Sequence, residues 1–94
     1  MAVFVIFLDN VARPTPAAIA RHVDHLRALD DVGQLIVCGP FADGDGGLVC
    51  VHAASEADAR AVAEADPFVA LGFKRCRVRA LDVATRENGY LLVP

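Results

Sequence analysis

The sequence predicts an α+β domain in which a β-α-β-β-α-β chain forms an antiparallel sheet with two helices on one face. Three observations predict it. Four short segments have the apolar, β-branched composition of strands. Two segments with helical periodicity separate the first strand from the second and the third from the fourth. A glycine-rich turn at 42–47 joins the middle two strands as a hairpin.

Composition bounds the size and the surroundings of this domain. The chain has 94 residues, of which 55% are hydrophobic, and its mean hydropathy is +0.43. A single domain of this size has little interior, so we expect part of the apolar surface to lie in a homodimer interface. The alternative is that the abundant alanines raise the hydrophobic fraction without forming such an interface.

The charge balance and the apolar runs exclude several classes of partner. The net charge is −3, and no basic stripe or aromatic nucleic-acid motif is present, so we expect no nucleic-acid partner. The longest apolar run, Ala2–Leu8, is too short to span a bilayer and lacks the basic flank of a secretory signal. We therefore expect no membrane association and a cytoplasmic location.

The first half of the chain begins with a strand and continues into a long helix. Ala2–Leu8 is continuously apolar, which predicts a strand covered on both faces. Thr15 is a good N-cap and Pro16 suits the first helical position, so a helix is predicted from Pro16 to Val32. Its apolar face is formed by Ile19, Val23, Leu26 and Leu29. At about 100° per residue, His22 falls on this same face, whereas His25 lies on its flank.

The middle of the chain is a predicted hairpin. Gln34–Phe41 and Leu48–Ala54 are the predicted strands, and Gly39-Pro40 interrupts the first of them abruptly. The turn between them lacks the lysine-containing pattern and the following helix of a phosphate loop, so phosphate binding is not expected.

The second helix is predicted from the Ser55 N-cap to Ala65. Pro67 disfavours helical geometry at Asp66, so the helix ends there. A fourth strand is predicted at Phe73–Leu81, where arginines occupy most of one side and apolar residues occupy most of the other. The apolar end that follows Asn88-Gly89 is predicted to add an edge strand or to pack on a partner.

The cysteines and histidines carry no metal or disulfide signature. Cys38, Cys50 and Cys76 are an odd number and form no CxxC pair, so we expect reduced, buried structural thiols. His22 and His25 are three residues apart, but no third ligand is evident, so no metal site is predicted.

Two interpretations of His22 remain open on the residues alone. A histidine within an apolar helix face is often a structural residue with a polar partner. Asp66-Pro67 alone is an ordinary helix-terminating turn. Alternatively, a His-Asp pair suits general acid/base catalysis, since a carboxylate orients the ring and stabilises the imidazolium. Ser55 is not a convincing nucleophile, because its position is that of an N-cap.

Several short motifs together resemble those of the YciI-like (YCII-related) proteins of the dimeric α+β barrel superfamily. They include His22, Gly39-Pro40, Ser55 opening a helix, and Ala65-Asp66-Pro67-Phe68 followed by Gly72. The resemblance spans residues 3–81 and implies a ferredoxin-like subunit that forms a homodimer sheet to sheet. It also implies His22 and Asp66 as catalytic residues, beside a substrate pocket shaped by Gly39, Pro40, Phe41, Phe68 and Gly72.

The chain departs from this family in two places. The loop after Gly39-Pro40 is short, which reduces any lid, and the chain continues beyond the matched region. We therefore predict a single domain over 1–94, with a core at 3–81 and a C-terminal extension at 82–94.

The predicted function is a cofactor-free enzyme of the lyase or isomerase type that acts on a small organic molecule. The resemblance implies aromatic-derived or lactone substrates and chemistry such as proton shifts or loss of HCl. The alternative is a non-catalytic dimeric module that binds a metabolite or serves as an accessory subunit. A pocket that holds a titrating His22 favours the enzyme, and a dry, filled space around His22 favours the module.

Overall fold

The computed structural model describes residues 1–92 and has the predicted βαββαβ order. In chain order, its elements are β1 (Ala2–Asn10), α1 (Pro16–Asp31), β2 (Leu35–Pro40), β3 (Gly47–Ala53), α2 (Glu56–Ala65), α3 (Pro67–Ala70), β4 (Lys74–Leu81) and a 3₁₀ turn (Gly89–Leu91). The predicted fold class, an antiparallel ferredoxin-like sheet with helices, is confirmed. No helix within residues 1–92 has the length and apolar character needed to cross a membrane.

The four strands form one antiparallel sheet in the order β2-β3-β1-β4. Alternate residues of the two central strands face the helices, as the period of a strand requires. On β1 these are Phe4, Ile6 and Leu8, all buried. They pack with side chains of β3 and with Leu29, Ala59 and Ala63 of the helices to make the core. The small residues of α2 allow this helix to approach the sheet closely.

Among residues 1–92, no α-helix covers the other face of the sheet, and we call it the open face. Val3, Val5 and Phe7 of β1 lie on it and are half-buried. Directly opposite them on β4 lie Leu81, Arg79 and Arg77. The sequence did not assign the arginine side of β4 to a face. The structure puts it here, so the open face is apolar on its central strands and cationic along one edge.

One arginine of this edge is held by two contacts. Arg77 donates hydrogen bonds to both carboxylate oxygens of Asp9, at 2.7 and 3.1 Å, and its guanidinium lies 4.7 Å from the centre of the Phe7 ring. The hydrogen bond and the charge of Arg77 lower the pKa of the Asp9 carboxyl, and those of Asp9 raise the pKa of Arg77. The pair is solvent-exposed and contributes little to stability by itself.

Of the two alternatives predicted for the chain after β4, the edge strand is not formed up to Leu92, and packing on a partner stays a prediction. Gly89–Leu91 form a 3₁₀ turn, in which Asn88 Oδ1 accepts the backbone N–H of Leu91. Tyr90 and Leu91 have positive φ angles of 57° and 65°, which no β-strand can contain. Val93, which the sequence placed in the same segment, lies outside the described residues.

Candidate active site

His22 is positioned by the capped start of α1. Thr15 Oγ1 accepts the backbone N–H of Ala18 at 3.1 Å, and Pro16 occupies the first turn, where its missing N–H costs nothing. The helix therefore begins at a fixed residue, and this fixes the direction of each later side chain. His22 points towards α3, and its side chain is only 13% exposed.

Asp66 lies at the junction of α2 and α3 and serves both helices. It ends α2, and its Oδ1 accepts the backbone N–H of Phe68 at 2.9 Å, which makes it the N-cap of α3. Pro67 occupies the first position of α3. Among residues 1–92, Asp66 is the only polar or charged residue that is buried, and its side chain is 3% exposed. A carboxylate at this depth needs partners.

The partner of the Asp66 carboxylate is the His22 ring. Nδ1 lies 2.8 Å from Oδ1 and 2.9 Å from Oδ2. An ionised carboxylate only accepts hydrogen bonds, so Nδ1 carries the hydrogen and donates it. In the neutral imidazole the lone pair is then on Nε2, which leaves that atom free to act as a base. The structure brings the two predicted residues together, and their catalytic role stays a prediction.

An aromatic ring and an amine complete the polar end of the site. Phe68 stacks on the His22 ring, with centroids 3.9 Å apart and planes 10° from parallel. The Lys74 ammonium lies 5.6 Å from the centre of the Phe68 ring and donates a hydrogen bond to Asn10 Oδ1. Imidazole, phenyl ring and ammonium are therefore neighbours.

These groups line a cavity of about 400 Å³ between α1 and the β2–β3 hairpin. The cavity is partly open, and its other lining residues are all apolar or glycine: Leu8, Pro14, Ile19, Val23, Leu26, Cys38, Gly39, Pro40, Gly46, Gly47, Leu48 and Val49. Its volume is within the range of small-molecule sites. The space beside His22 is therefore not filled by protein side chains.

The structure places three of the five predicted pocket residues in the cavity wall and two outside it. Gly39, Pro40 and Phe68 line the cavity, whereas Phe41 and Gly72 do not. Phe41 lies past the end of β2, where its N–H donates to Gly46 O and closes the turn at 3.0 Å. Gly72 has a φ of +82° just after α3, so it turns the chain towards β4.

Sequence reasoning missed Lys74, Asn10 and the helix α3. A signal for Lys74 was present: it alternates with the arginines of β4 and so belongs to the helix-covered side, where Cys76 and Val78 are apolar. A cation on the apolar, helix-covered side of a strand is unusual, and this could have marked Lys74 as a candidate site residue. The signal for α3 was Asp66-Pro67 itself, since an N-cap followed by proline starts a helix as well as ending one.

The remaining histidines and cysteines form no second site of this kind. His52 is half-buried on the open face, opposite Val3. Cys50 is buried there, and this burial raises the pKa of its thiol. Across residues 1–92, no three or more His, Cys, Asp or Glu side chains lie close enough together to hold a metal ion.

Comparison with known proteins identifies a family and similar solved structures. The model of the YCII-related domain family matches residues 1–82. A solved structure, 5-chloro-2-hydroxyhydroquinone dehydrochlorinase (TftG) from Burkholderia phenoliruptrix AC1100 in complex with 2,5-dihydroxybenzoquinone, is 22% identical with a TM-score of 0.63. The match covers 85% of this chain and 93% of that chain, and at this identity it concerns the fold. No curated protein sequence matches the chain. Since the family match includes α1, α2 and α3, all four strands and the cavity, the chain belongs to the YCII-related domain family.

Proposed function

We propose that this protein is a cofactor-free enzyme that performs general acid/base chemistry, of the lyase or isomerase type, on a small organic molecule in the cavity. The observation that carries the proposal is the hydrogen bond from His22 Nδ1 to the buried Asp66, at the wall of an open apolar cavity. A purely structural histidine needs a polar partner but no adjacent space for a ligand.

The proposed roles follow from the two ring nitrogens. Asp66 holds the Nδ1–H tautomer, so Nε2 is the atom that takes a proton from the substrate. The imidazolium that results is stabilised by the carboxylate at 2.8 Å. In an isomerase, His22 returns this proton to a different atom of the substrate. In a lyase, the electron pair of the broken bond expels a leaving group such as chloride, and the proton passes to water.

The cavity supports a substrate of about one ring. Its walls are apolar, which suits the faces of a planar ring, and its polar groups are gathered at one end. The structurally similar dehydrochlorinase is named for a chlorinated hydroxyhydroquinone and was solved with 2,5-dihydroxybenzoquinone. These two compounds are therefore reasonable first candidates for a substrate and a ligand of this chain.

The experiment measures chloride release from 5-chloro-2-hydroxyhydroquinone, together with solvent deuterium uptake into a set of small lactones and quinones. We expect turnover of at least one compound and a loss of roughly 10²- to 10⁴-fold in His22→Gln. His25→Gln is the matched control, because His25 lies on the same helix but not in the cavity wall, and it should keep full activity.

Two results would count against the proposal. Equal turnover in His22→Gln and the wild type would show that His22 does not act as the acid or base. Saturable binding of these compounds, with neither chloride release nor deuterium uptake, would instead favour the non-catalytic binding module.

A further inference from the structure

We infer that Lys74 is the anion-recognising residue of this cavity, so that the ligand presents a negatively charged oxygen, as a phenolate, enolate or carboxylate does. This inference rests on the proposed use of the same cavity and names the class of molecule that it binds. It assigns a role to the one ammonium in the lining, which the acid/base pair does not require.

The position of Lys74 is fixed by the sheet. It is the first residue of β4 and pairs directly with Asn10, the last residue of β1. The backbone N–H groups of Val11 and Ala12 both donate to Phe73 O at 3.0 Å, which joins the two chain segments just beyond this pair. The side chain is then directed by its hydrogen bond to Asn10 Oδ1 and by the Phe68 ring at 5.6 Å.

The charge of this ammonium is not neutralised by the protein. No carboxylate within residues 1–92 forms an ion pair with Lys74, and its hydrogen-bond acceptor, the Asn10 amide, is neutral. Arg13 lines a second cavity together with Lys74, so a further positive charge lies on that side of the ammonium. A half-buried cation beside apolar walls interacts with an anion more strongly than an exposed lysine does, because water screens it less.

The arrangement of Lys74 and His22 suits a molecule that becomes more negative during the reaction. Both groups line the cavity and neighbour Phe68, the imidazole with ring centroids 3.9 Å apart and the ammonium 5.6 Å from the ring centre, so a ligand that fills the cavity meets both. When Nε2 removes a proton from a carbon beside a carbonyl, the C–H pair forms a C=C bond and the carbonyl π pair moves to oxygen. The ammonium then stabilises that oxygen, and the proton stays on the imidazole.

The test uses 4-nitrophenol, whose neutral form is colourless and whose phenolate is yellow, and which interconverts near neutral pH. At fixed pH, wild-type protein should raise the phenolate fraction in a saturable manner. Lys74→Met should reduce the affinity for the phenolate roughly ten- to hundred-fold, whereas Lys74→Arg should retain most of it. Arg21→Met is the matched control, since it also removes one positive charge but lies exposed on α1 away from the cavity.

This test distinguishes a failure of the inference from a failure of the proposed function. It needs no turnover, and His22→Gln should still favour the phenolate if Lys74 is the recognising group. The inference would be overturned if wild type and Lys74→Met raised the phenolate fraction equally, or if the wild type did not raise it at all.

A second measurement does not depend on the folding of a variant. Lys74 is the only lysine in the sequence, so reductive methylation with ¹³C-formaldehyde labels this side chain and the N-terminus alone. The Lys74 methyl resonance should shift on titration with 4-nitrophenolate and stay unmoved with 4-nitroanisole, its neutral ether. If the Lys74 methyl resonance shifted equally with both compounds, or with neither of them, Lys74 would be an ordinary solvated lysine at a strand end.

Discussion

Asp66 holds His22 and Phe68 at once: one carboxylate accepts the Nδ1–H of the imidazole and the backbone N–H of the phenylalanine that stacks on that imidazole. The orientation of the ring is therefore set from its edge by a hydrogen bond and from its face by an aromatic contact. Because both restraints come from the start of α3, a disturbance of this short helix should alter the site before it alters the core.

Phe68→Leu should lower turnover more than it lowers stability. The leucine keeps an apolar side chain in the cavity wall but loses the flat surface against His22, so the imidazole gains rotational freedom. We expect turnover to fall roughly ten- to hundred-fold, since small misplacements of a catalytic group are costly. The free energy of unfolding should fall by about 1 kcal/mol. Phe41→Leu is the control, because Phe41 is outside the cavity wall; equal losses in the two variants would contradict the role of the stack.

Asp66→Ala should destabilise the protein more than Ser55→Ala, although both remove a helix N-cap. Ser55 Oγ accepts only the N–H of Asp58, at 3.1 Å on the exposed side of α2, so its loss should cost about 1 kcal/mol. Asp66 is buried and serves two donors, so its loss should cost about 2–4 kcal/mol. Urea unfolding at one fixed protein concentration measures both. Equal costs would mean that the His22 contact contributes nothing to stability.

Val5→Arg should prevent self-association through the open face. Val5 lies at the centre of that face, directly opposite Arg79, and a second cation there would meet a like charge in an apolar surface. We expect the wild type to sediment as a dimer of 10.0 kDa chains, or a larger assembly, and Val5→Arg as a monomer. Val32→Arg at the exposed end of α1 is the control. A wild-type protein that sediments as a monomer at micromolar concentration would contradict the dimer prediction.

Cys50 should react with iodoacetamide more slowly than Cys38 or Cys76. It is buried, and its thiol pKa is raised by that burial, so at a given pH a smaller fraction is the reactive thiolate. Raising the pH should therefore increase the reaction rate of Cys50. Peptide mass mapping over time measures each rate separately. A Cys50 rate equal to that of Cys38 at pH 7 would show that the open face is fully accessible in solution.

The elements of this fold were predictable from sequence because their signals are local. Thr15-Pro16 and Ser55 mark helix starts by capping chemistry, and both are caps in the structure. The proximity of His22 and Asp66, 44 residues apart in sequence, was inferred from the side-chain direction of one and the chain position of the other.

What sequence could not supply depends on contacts between elements. The end of β1 extends to Asn10 because β4 pairs with it, and a strand reading based on apolar composition stops at Leu8. The register shift between Leu35 and Val37 has no mark in the sequence, since both flanking residues are apolar. Phe41 lies outside the cavity wall for a similar reason, since proximity to Pro40 in the chain does not decide which way a side chain faces after a turn.

The two glycines that close the β2–β3 hairpin determine which wall of the cavity can change. A Cβ at Gly46 would lie 2.7 Å from Leu8 O, and one at Gly47 would lie 2.9 Å from Gly39 O, so neither position has room for a side chain. The sheet wall is thus closed to substitution at these two positions, whereas Ile19, Val23 and Leu26 line the helical wall with side chains. Divergence of ligand preference, in nature or by directed evolution, should therefore accumulate on α1.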